Sequence, residues 1–320
     1  MKQTIIPSRI IGLIMVLIFL IACNSMLSTQ PSSIRETESA ITKITIPTKT
    51  VPLQTEIFPE PTHTDLSAVS HQIEVIRDIP YTSQGKLDVY QPDGPGPWPV
   101  VVALHGGGQS KELFNVFSKR IAELGAVVFT PTWHSSEPQG DPLTKDIITA
   151  GNQDAACALR FARQRAKDFD GDPSRLVVVG YSGGGTAGAV IALAGDEFEG
   201  DCLVSGHSSI PDAFIGIDGA YDLVNCCVPD ELYKKGSPED WALIVPFTYL
   251  DRQFVNPTVK FSLIVGGTPE LVEMAETFND RLQEVGIEST LTQFPDLDHG
   301  QIVSLNLPEL FAVIEDALYP

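Results

Sequence analysis

The sequence predicts an α/β fold in which helices cover both faces of a doubly wound, mostly parallel central sheet. Three observations carry that expectation. Strand-like and helix-like segments alternate from about residue 71 onward. The run Val100-Val101-Val102-Ala103-Leu104 is continuously apolar, as a central strand buried on both faces has to be. A second apolar run, Leu176 to Val179, leads straight into Gly180-Tyr181-Ser182-Gly183-Gly184-Gly185 and a stretch of small residues, the strand, turn and helix of an open parallel sheet.

Residues 73–79 and 87–90 alternate apolar and polar side chains, as half-buried opening strands do. After the strand at 100–104, residues 111–124 read as a helix and 126–129 as a strand. A long helix is expected over 146–166, a strand over 176–179 and a helix over 183–194. Further strands are expected at 213–217, 261–265 and 288–294, with helices at 271–285 and 303–318. The longest interruption, 221–257, is a candidate small cap.

The 320 residues carry 41 acidic and 21 basic side chains, a formal charge of -20, and are 43% hydrophobic. Hydrophobic content of this size supports a substantial core, and wholesale disorder is excluded. So much negative charge repels phosphate backbones, and no basic cluster offsets it, so nucleic acid is excluded as a partner.

Residues 1–70 read differently. Lys2 and Arg9 precede an apolar run, Ile10 to Ile21, of signal-peptide length, ending in Leu20-Ile21-Ala22-Cys23. This resembles a bacterial lipobox, which implies cleavage before Cys23, lipidation of its thiol and anchoring of an exported chain on a membrane at the extracellular face of the envelope. From 24 to 70 the chain holds nine Thr, seven Ser, five Pro and no Gly, a composition that favours an extended disordered tether. The organisation expected is therefore a signal peptide at 1–23, a linker at 24–70 and one globular domain at 71–320. Acidic and basic side chains balance in 1–70, so the net charge belongs to the domain.

The chemistry gathers at three places. In Gly180-Tyr181-Ser182-Gly183-Gly184 a buried strand feeds a G-x-S-x-G turn, so tight that flanking glycines must relieve its crowding while Ser182 projects its hydroxyl above the sheet edge. After the strand at 100–104 comes His105-Gly106-Gly107-Gly108, whose amides can curl toward the serine. Gly106 and Gly107, with the amide of Gly183, are the expected oxyanion hole. Late in the chain, Asp298-His299-Gly300 supplies the general base, His299. His105 is assigned a structural hydrogen bond; His134 and His207 are weaker alternatives, and His63 and His71 are bystanders.

These motifs, with Lys86-Leu87-Asp88-Val89-Tyr90-Gln91-Pro92 and Asp154 to Phe161, resemble the α/β hydrolase superfamily. The likeness covers about residues 73–318 and narrows to carboxylesterases of the acetyl-esterase, feruloyl-esterase and hormone-sensitive-lipase-like groups. The resemblance implies hydrolysis of small or carbohydrate-linked esters through an acyl-enzyme, without metal or organic cofactor. It also implies a carboxylate after the strand at 261–265, in a G-x-x-D pattern. This chain reads Gly266-Gly267-Thr268-Pro269-Glu270 there, so Glu270 is the expected acid and Asp218 the runner-up, ahead of Asp222 and Glu273. A serine peptidase of the same fold and a non-catalytic hydrolase-like binding protein are the alternative functions. Oligomeric state is left open.

Apart from Cys23, the cysteines are Cys157, Cys202, Cys226 and Cys227. An exported domain would oxidise them, and a Cys157–Cys202 bridge is favoured because adjacent Cys226 and Cys227 are poorly disposed to pair with each other. Zinc-type spacing is absent from the sequence. Trp133, His134, Tyr221 and 241–247 are candidates for the substrate pocket, with a buried core helix the competing reading for the last.

Overall fold

The computed structural model describes residues 71–134, 145–222, 238–250 and 258–319. The expected signal peptide, lipidation site Cys23, tether, Cys226 and Cys227 lie outside these residues.

Eight strands form one sheet: β1 (Ile73–Pro80), β2 (Lys86–Pro92), β3 (Trp98–Leu104), β4 (Val127–Pro131), β5 (Gly171–Tyr181), β6 (Ala213–Ile217), β7 (Lys260–Val265) and β8 (Ser289–Gln293). Their spatial order is β1-β2-β4-β3-β5-β6-β7-β8. The β1–β2 and β2–β4 pairs are antiparallel and all the others parallel. This is the doubly wound, mostly parallel sheet expected.

The helices are α1 (Asn115–Glu123), α2 (Lys145–Arg165), α3 (Gly183–Ala194), α4 (Pro238–Ala242), α5 (Pro246–Leu250), α6 (Pro269–Glu284), α7 (Gln301–Ser304) and α8 (Pro308–Leu318). The continuous apolar runs of β3 and β5 have a direct cause. Val100, Val102, Leu104, Leu176 and Val178 face a core shared with α2, α3, α5 and α6. Val101, Ala103, Val177 and Val179 face a second core shared with α1, α7 and α8. Every position in these two runs is interior, which is why both are apolar throughout.

Three departures from the expected elements have physical causes. Helix α1 begins at Asn115 rather than Lys111, because Lys111 is drawn toward the buried Asp88 and the exposed Asp78 before the helix starts. The C-terminal helix is split into α7 and α8: Asn306 between them takes a positive φ of 54°, and Pro308 opens α8. The candidate cap contains α4 and α5, and these described parts belong to the body of the fold. Tyr249 and Leu250 are buried in the first core, Phe247 packs edge-on against Phe278 of α6, and Asn152 of α2 donates to the Leu243 carbonyl at 3.0 Å. Residues 223–237 and 251–257 of the cap lie outside the described residues.

Cys157 on α2 and Cys202 form the favoured disulfide, with Cα atoms 5.0 Å apart and a sequence separation of 45. Beside it, Arg160 donates to the carbonyls of Phe198 and Glu199. Bridge and arginine together fasten the loop leading into β6 to α2.

Candidate active site

The site lies at the carboxyl ends of β5, β6 and β7, where an open parallel sheet presents loop residues. Tyr181 pairs with Ile217 at the last register position of β5 and β6, and Ile217 pairs with Ile264 of β7. The next residue on β5 is Ser182 and the next on β6 is Asp218. Both leave the sheet with positive φ, 53° and 48°, a conformation rare and strained for residues other than glycine.

The glycines around Ser182 are required by contact. A Cβ on Gly180 would lie 2.2 Å from the Gly184 carbonyl oxygen, and one on Gly184 would lie 2.2 Å from the Leu104 carbonyl oxygen. The strand therefore turns directly into α3 with its backbone pressed on the end of β3. The Ser182 amide donates to the Ile217 carbonyl at 2.9 Å, fixing the turn to β6.

His299 is brought to this turn from 117 residues away. Its Nε2 is 3.0 Å from Ser182 Oγ and its Nδ1 is 3.1 Å from Asp218 Oδ2. The Asp218 side chain is fully buried, and its Oδ1 accepts the Gly266 amide at 2.6 Å. The imidazole stacks on the Tyr181 ring, with centroids 5.0 Å apart, and the Tyr181 hydroxyl donates to the His299 carbonyl at 2.7 Å. Burial, reinforced by Asp218 and Asp298, raises the pKa of that phenol, so the hydroxyl keeps its proton and remains a donor.

Glu270, the acid expected from the sequence, is not at the histidine. It is exposed at the start of α6, where a carboxylate is favoured by the helix dipole. Beyond β7 the site is bordered by backbone: the Gly266 amide holds Asp218, and the Gly267 amide donates to the Leu297 carbonyl at 2.7 Å. The carboxylate that touches His299 is the runner-up, Asp218. Its signal in the sequence is an aspartate directly after the strand next to the serine strand.

The glycine run lies against the serine turn. A Cβ on Gly106 would be 3.3 Å from Ser182 Cβ, and one on Gly183 would be 3.0 Å from the Gly107 nitrogen. The Gly106 amide is taken, since it donates to Gln109 Oε1 at 3.2 Å. The Gly107 amide has no partner among the described residues, and Gly183 opens α3, where amides lack intrahelical acceptors. Gly107 and Gly183 thus carry amides close to Ser182 that are not engaged by the described residues, whereas the Gly106 amide is held within the turn.

The remaining histidines are elsewhere. His105 is fully buried, with Nδ1 2.9 Å from the Gly106 carbonyl oxygen, and burial pulls its pKa down to about 4. It is a neutral structural donor. His134 lies against Asp154 of α2, 2.5 Å from Nδ1 to Oδ2. His207 sits near Arg163 and Pro173 toward the opposite ends of the strands, and His71 pairs with Asp93. Of the pocket candidates, Tyr221 and Trp241 are buried; Tyr221 stacks on Phe278 at 4.4 Å. Trp133 packs against His105. Among the described residues no group of three or more His, Cys, Asp or Glu side chains is arranged to hold a metal.

Such an arrangement can move a proton from a serine hydroxyl to an imidazole whose tautomer is set by a buried carboxylate, with two amides ready for negative charge. Comparison with known proteins agrees with the architecture. The esterase of Pyrobaculum calidifontis is 21% identical and superposes over 78% of this chain and 85% of its own, with a TM-score of 0.60. A truncated carbohydrate esterase from gut microbiota is 19% identical over 78% of this chain and 96% of its own, with a TM-score of 0.62. In sequence, the isoprenylcysteine alpha-carbonyl methylesterase of Arabidopsis thaliana is 26% identical over 254 residues, 72% of this chain and 57% of that protein. The chain thus spans little more than half of that relative. The BD-FAE family model matches residues 87–254. With that match running from β2, through the serine turn and the strand of Asp218, to the end of α5, the chain belongs to the BD-FAE family of α/β hydrolases.

Proposed function

We propose that this protein is a serine esterase that cleaves carboxylic esters through a covalent acyl-enzyme. The observation that carries the reading is the continuous contact from Ser182 Oγ through His299 to Asp218, at 3.0 and 3.1 Å. Ser182 Oγ attacks the ester carbonyl carbon while His299 Nε2 takes the hydroxyl proton. Asp218 holds Nδ1–H and steadies the imidazolium. The tetrahedral oxygen receives the amides of Gly107 and Gly183, and His299 returns the proton to the departing alcohol. Water then repeats the sequence and releases the acid. Carbohydrate-linked esters are a substrate class suggested by the carbohydrate esterase among the structural relatives. The domain's negative charge favours neutral or cationic esters over polyanions.

The proposal extends to location: export and tethering through a lipid on Cys23. Its support is the basic, apolar and Leu-Ile-Ala-Cys sequence, together with the Cys157–Cys202 bridge, which suits an oxidising compartment. Labelling with a palmitate analogue tests it, and incorporation is expected in the natural chain and lost in Cys23→Ser.

The activity is tested with p-nitrophenyl acetate. Ser182→Ala is expected to lower kcat by at least about 10⁴-fold; equal rates for the two proteins would overturn the reading.

A further inference from the structure

A second polar assembly, absorbed by none of the roles above, begins two residues after the glycine loop. Asp88 on β2 has a fully buried side chain. Its Oδ1 accepts Lys111 Nζ at 2.8 Å and the Asp78 amide at 2.9 Å, and its Oδ2 accepts Arg77 Nη1 at 2.9 Å. Lys111 is itself only 5% exposed, and its Nζ also reaches Asp78 Oδ1 at 3.1 Å and Glu112 Oε1 at 3.0 Å. Burial alone would lower the lysine pKa, but the hydrogen bonds to Asp88, Glu112 and Asp78 outweigh it and raise the value. The lysine is therefore charged in the interior.

Buried ion pairs are poor sources of net stability, because desolvation cancels much of their attraction, whereas well-packed apolar groups of similar size do as well or better. What such a pair does supply is a fixed position. Here that position belongs to the glycine loop. Residues 106–109 close on themselves: the Gln109 amide donates to the Gly106 carbonyl at 3.2 Å while the Gln109 side chain accepts the Gly106 amide. This small closed turn is attached to the sheet at one end by β3. Two residues beyond its other end is Lys111, anchored on β2.

The geometry points to Lys111 and Asp88 as positioning residues that hold the Gly106–Gln109 turn so that the Gly107 amide faces the oxygen formed on the Ser182 adduct. This rests on the esterase reading. An oxyanion donor acts only at hydrogen-bond distance from where charge develops, and a displacement of about 1 Å in a catalytic array can cost on the order of 100-fold in rate. Neither residue touches substrate. Their loss should appear in kcat, where the transition state is read, and leave KM and the titration of the base unchanged.

The experiment compares full-length proteins on p-nitrophenyl acetate. Lys111→Met is expected to lose about 10- to 100-fold in kcat, with KM within about twofold and an unaltered pH–rate midpoint. The paired variant Cys157→Ser/Cys202→Ser, destabilised at a distant point, should retain its kcat below its melting temperature and so separates misplacement from loss of stability. Should Lys111→Met fail to fold, Asp88→Asn weakens the buried anchor itself while Asp78 and Glu112 still pair with the lysine. It should lose at least about threefold in kcat with KM within about twofold. Natural kcat in either variant overturns the inference. Absence of ester hydrolysis by the unmodified protein overturns the functional reading instead.

Discussion

Ser182 and Asp218 stand at equivalent register positions on adjacent parallel strands, each one residue past the Tyr181–Ile217 pair and each with positive φ. The two side chains thereby leave the sheet at the same level on neighbouring strands, and one imidazole spans them. The acid is consequently set by the sheet, through the Asp218 amide to the Ile264 carbonyl at 2.8 Å and the Gly266 amide to Oδ1 at 2.6 Å. The Glu270 side chain, at the start of α6, takes no part in holding it.

Exchange of the two carboxylates should separate them. Asp218→Asn is expected to lower kcat on p-nitrophenyl acetate by about 10³- to 10⁴-fold, since an amide opposite Nδ1 favours the wrong tautomer. Glu270→Gln should leave the rate within about twofold, as expected for an exposed residue outside the array. Steady-state kinetics of the two variants checks both.

The serine turn should tolerate no added carbon. Gly184→Ala places a methyl 2.2 Å from the Leu104 carbonyl oxygen and 2.6 Å from that of His105, against backbone that cannot rotate away. A loss of at least about 1–3 kcal/mol in urea unfolding is expected, with activity falling further because Ser182 and Gly107 are displaced together.

Stability should fall in mild acid through His105. The folded pKa is about 4 against an ordinary 6.5, so between these values the unfolded chain binds a proton that the folded chain refuses. The neutral buried ring contributes its full stability above pH 6.5 and loses it as pH drops toward 4. At pH 4.5 the loss attributable to this residue should be about 2–3 kcal/mol. Urea curves at pH 7.5 and 4.5 should differ by that much less in His105→Asn.

Opening the disulfide should be felt in stability and little in catalysis. The bridge closes 45 residues, a loop for which chain-entropy arguments give about 4 kcal/mol. Cys157→Ser/Cys202→Ser should melt well below the natural protein. Its kcat at 25 °C should be unchanged, because the bond lies at the loop entering β6 and the site lies at the other end of that strand.

Much of this molecule is legible in its sequence because the relevant signals are local. The apolar runs of β3 and β5 declare strands covered twice, and G-Y-S-G-G declares a turn that only glycines permit. His299 stands out by its place after the last strand. The acid is not legible in the same way. Asp218 directly after the strand next to the serine strand is a weak signal beside Glu270 in a near match to G-x-x-D, and the choice between them follows from the register of β5, β6 and β7. Helices α4 and α5 are obscured for a related reason. Each is only five residues long, too short to show a helical period, and their burial comes from contacts with α2, α3 and α6. Lys111 spoils the expected start of α1 because its charge is claimed by Asp88, 23 residues earlier.

Under the proposed mechanism, the placement of His299 decides when the protein can act. The histidine lies beyond the last strand and is held by Tyr181, while Leu318, near the end of α8, accepts Arg175 at 3.1 Å and Tyr319 donates to the Gly125 carbonyl. Ser182 thus emerges from the ribosome 117 residues before its base, with a hydroxyl no more nucleophilic than that of any other serine. Reactivity toward esters arrives only when the C-terminal segment has docked. A chain still being synthesised carries its nucleophile in a chemically silent form.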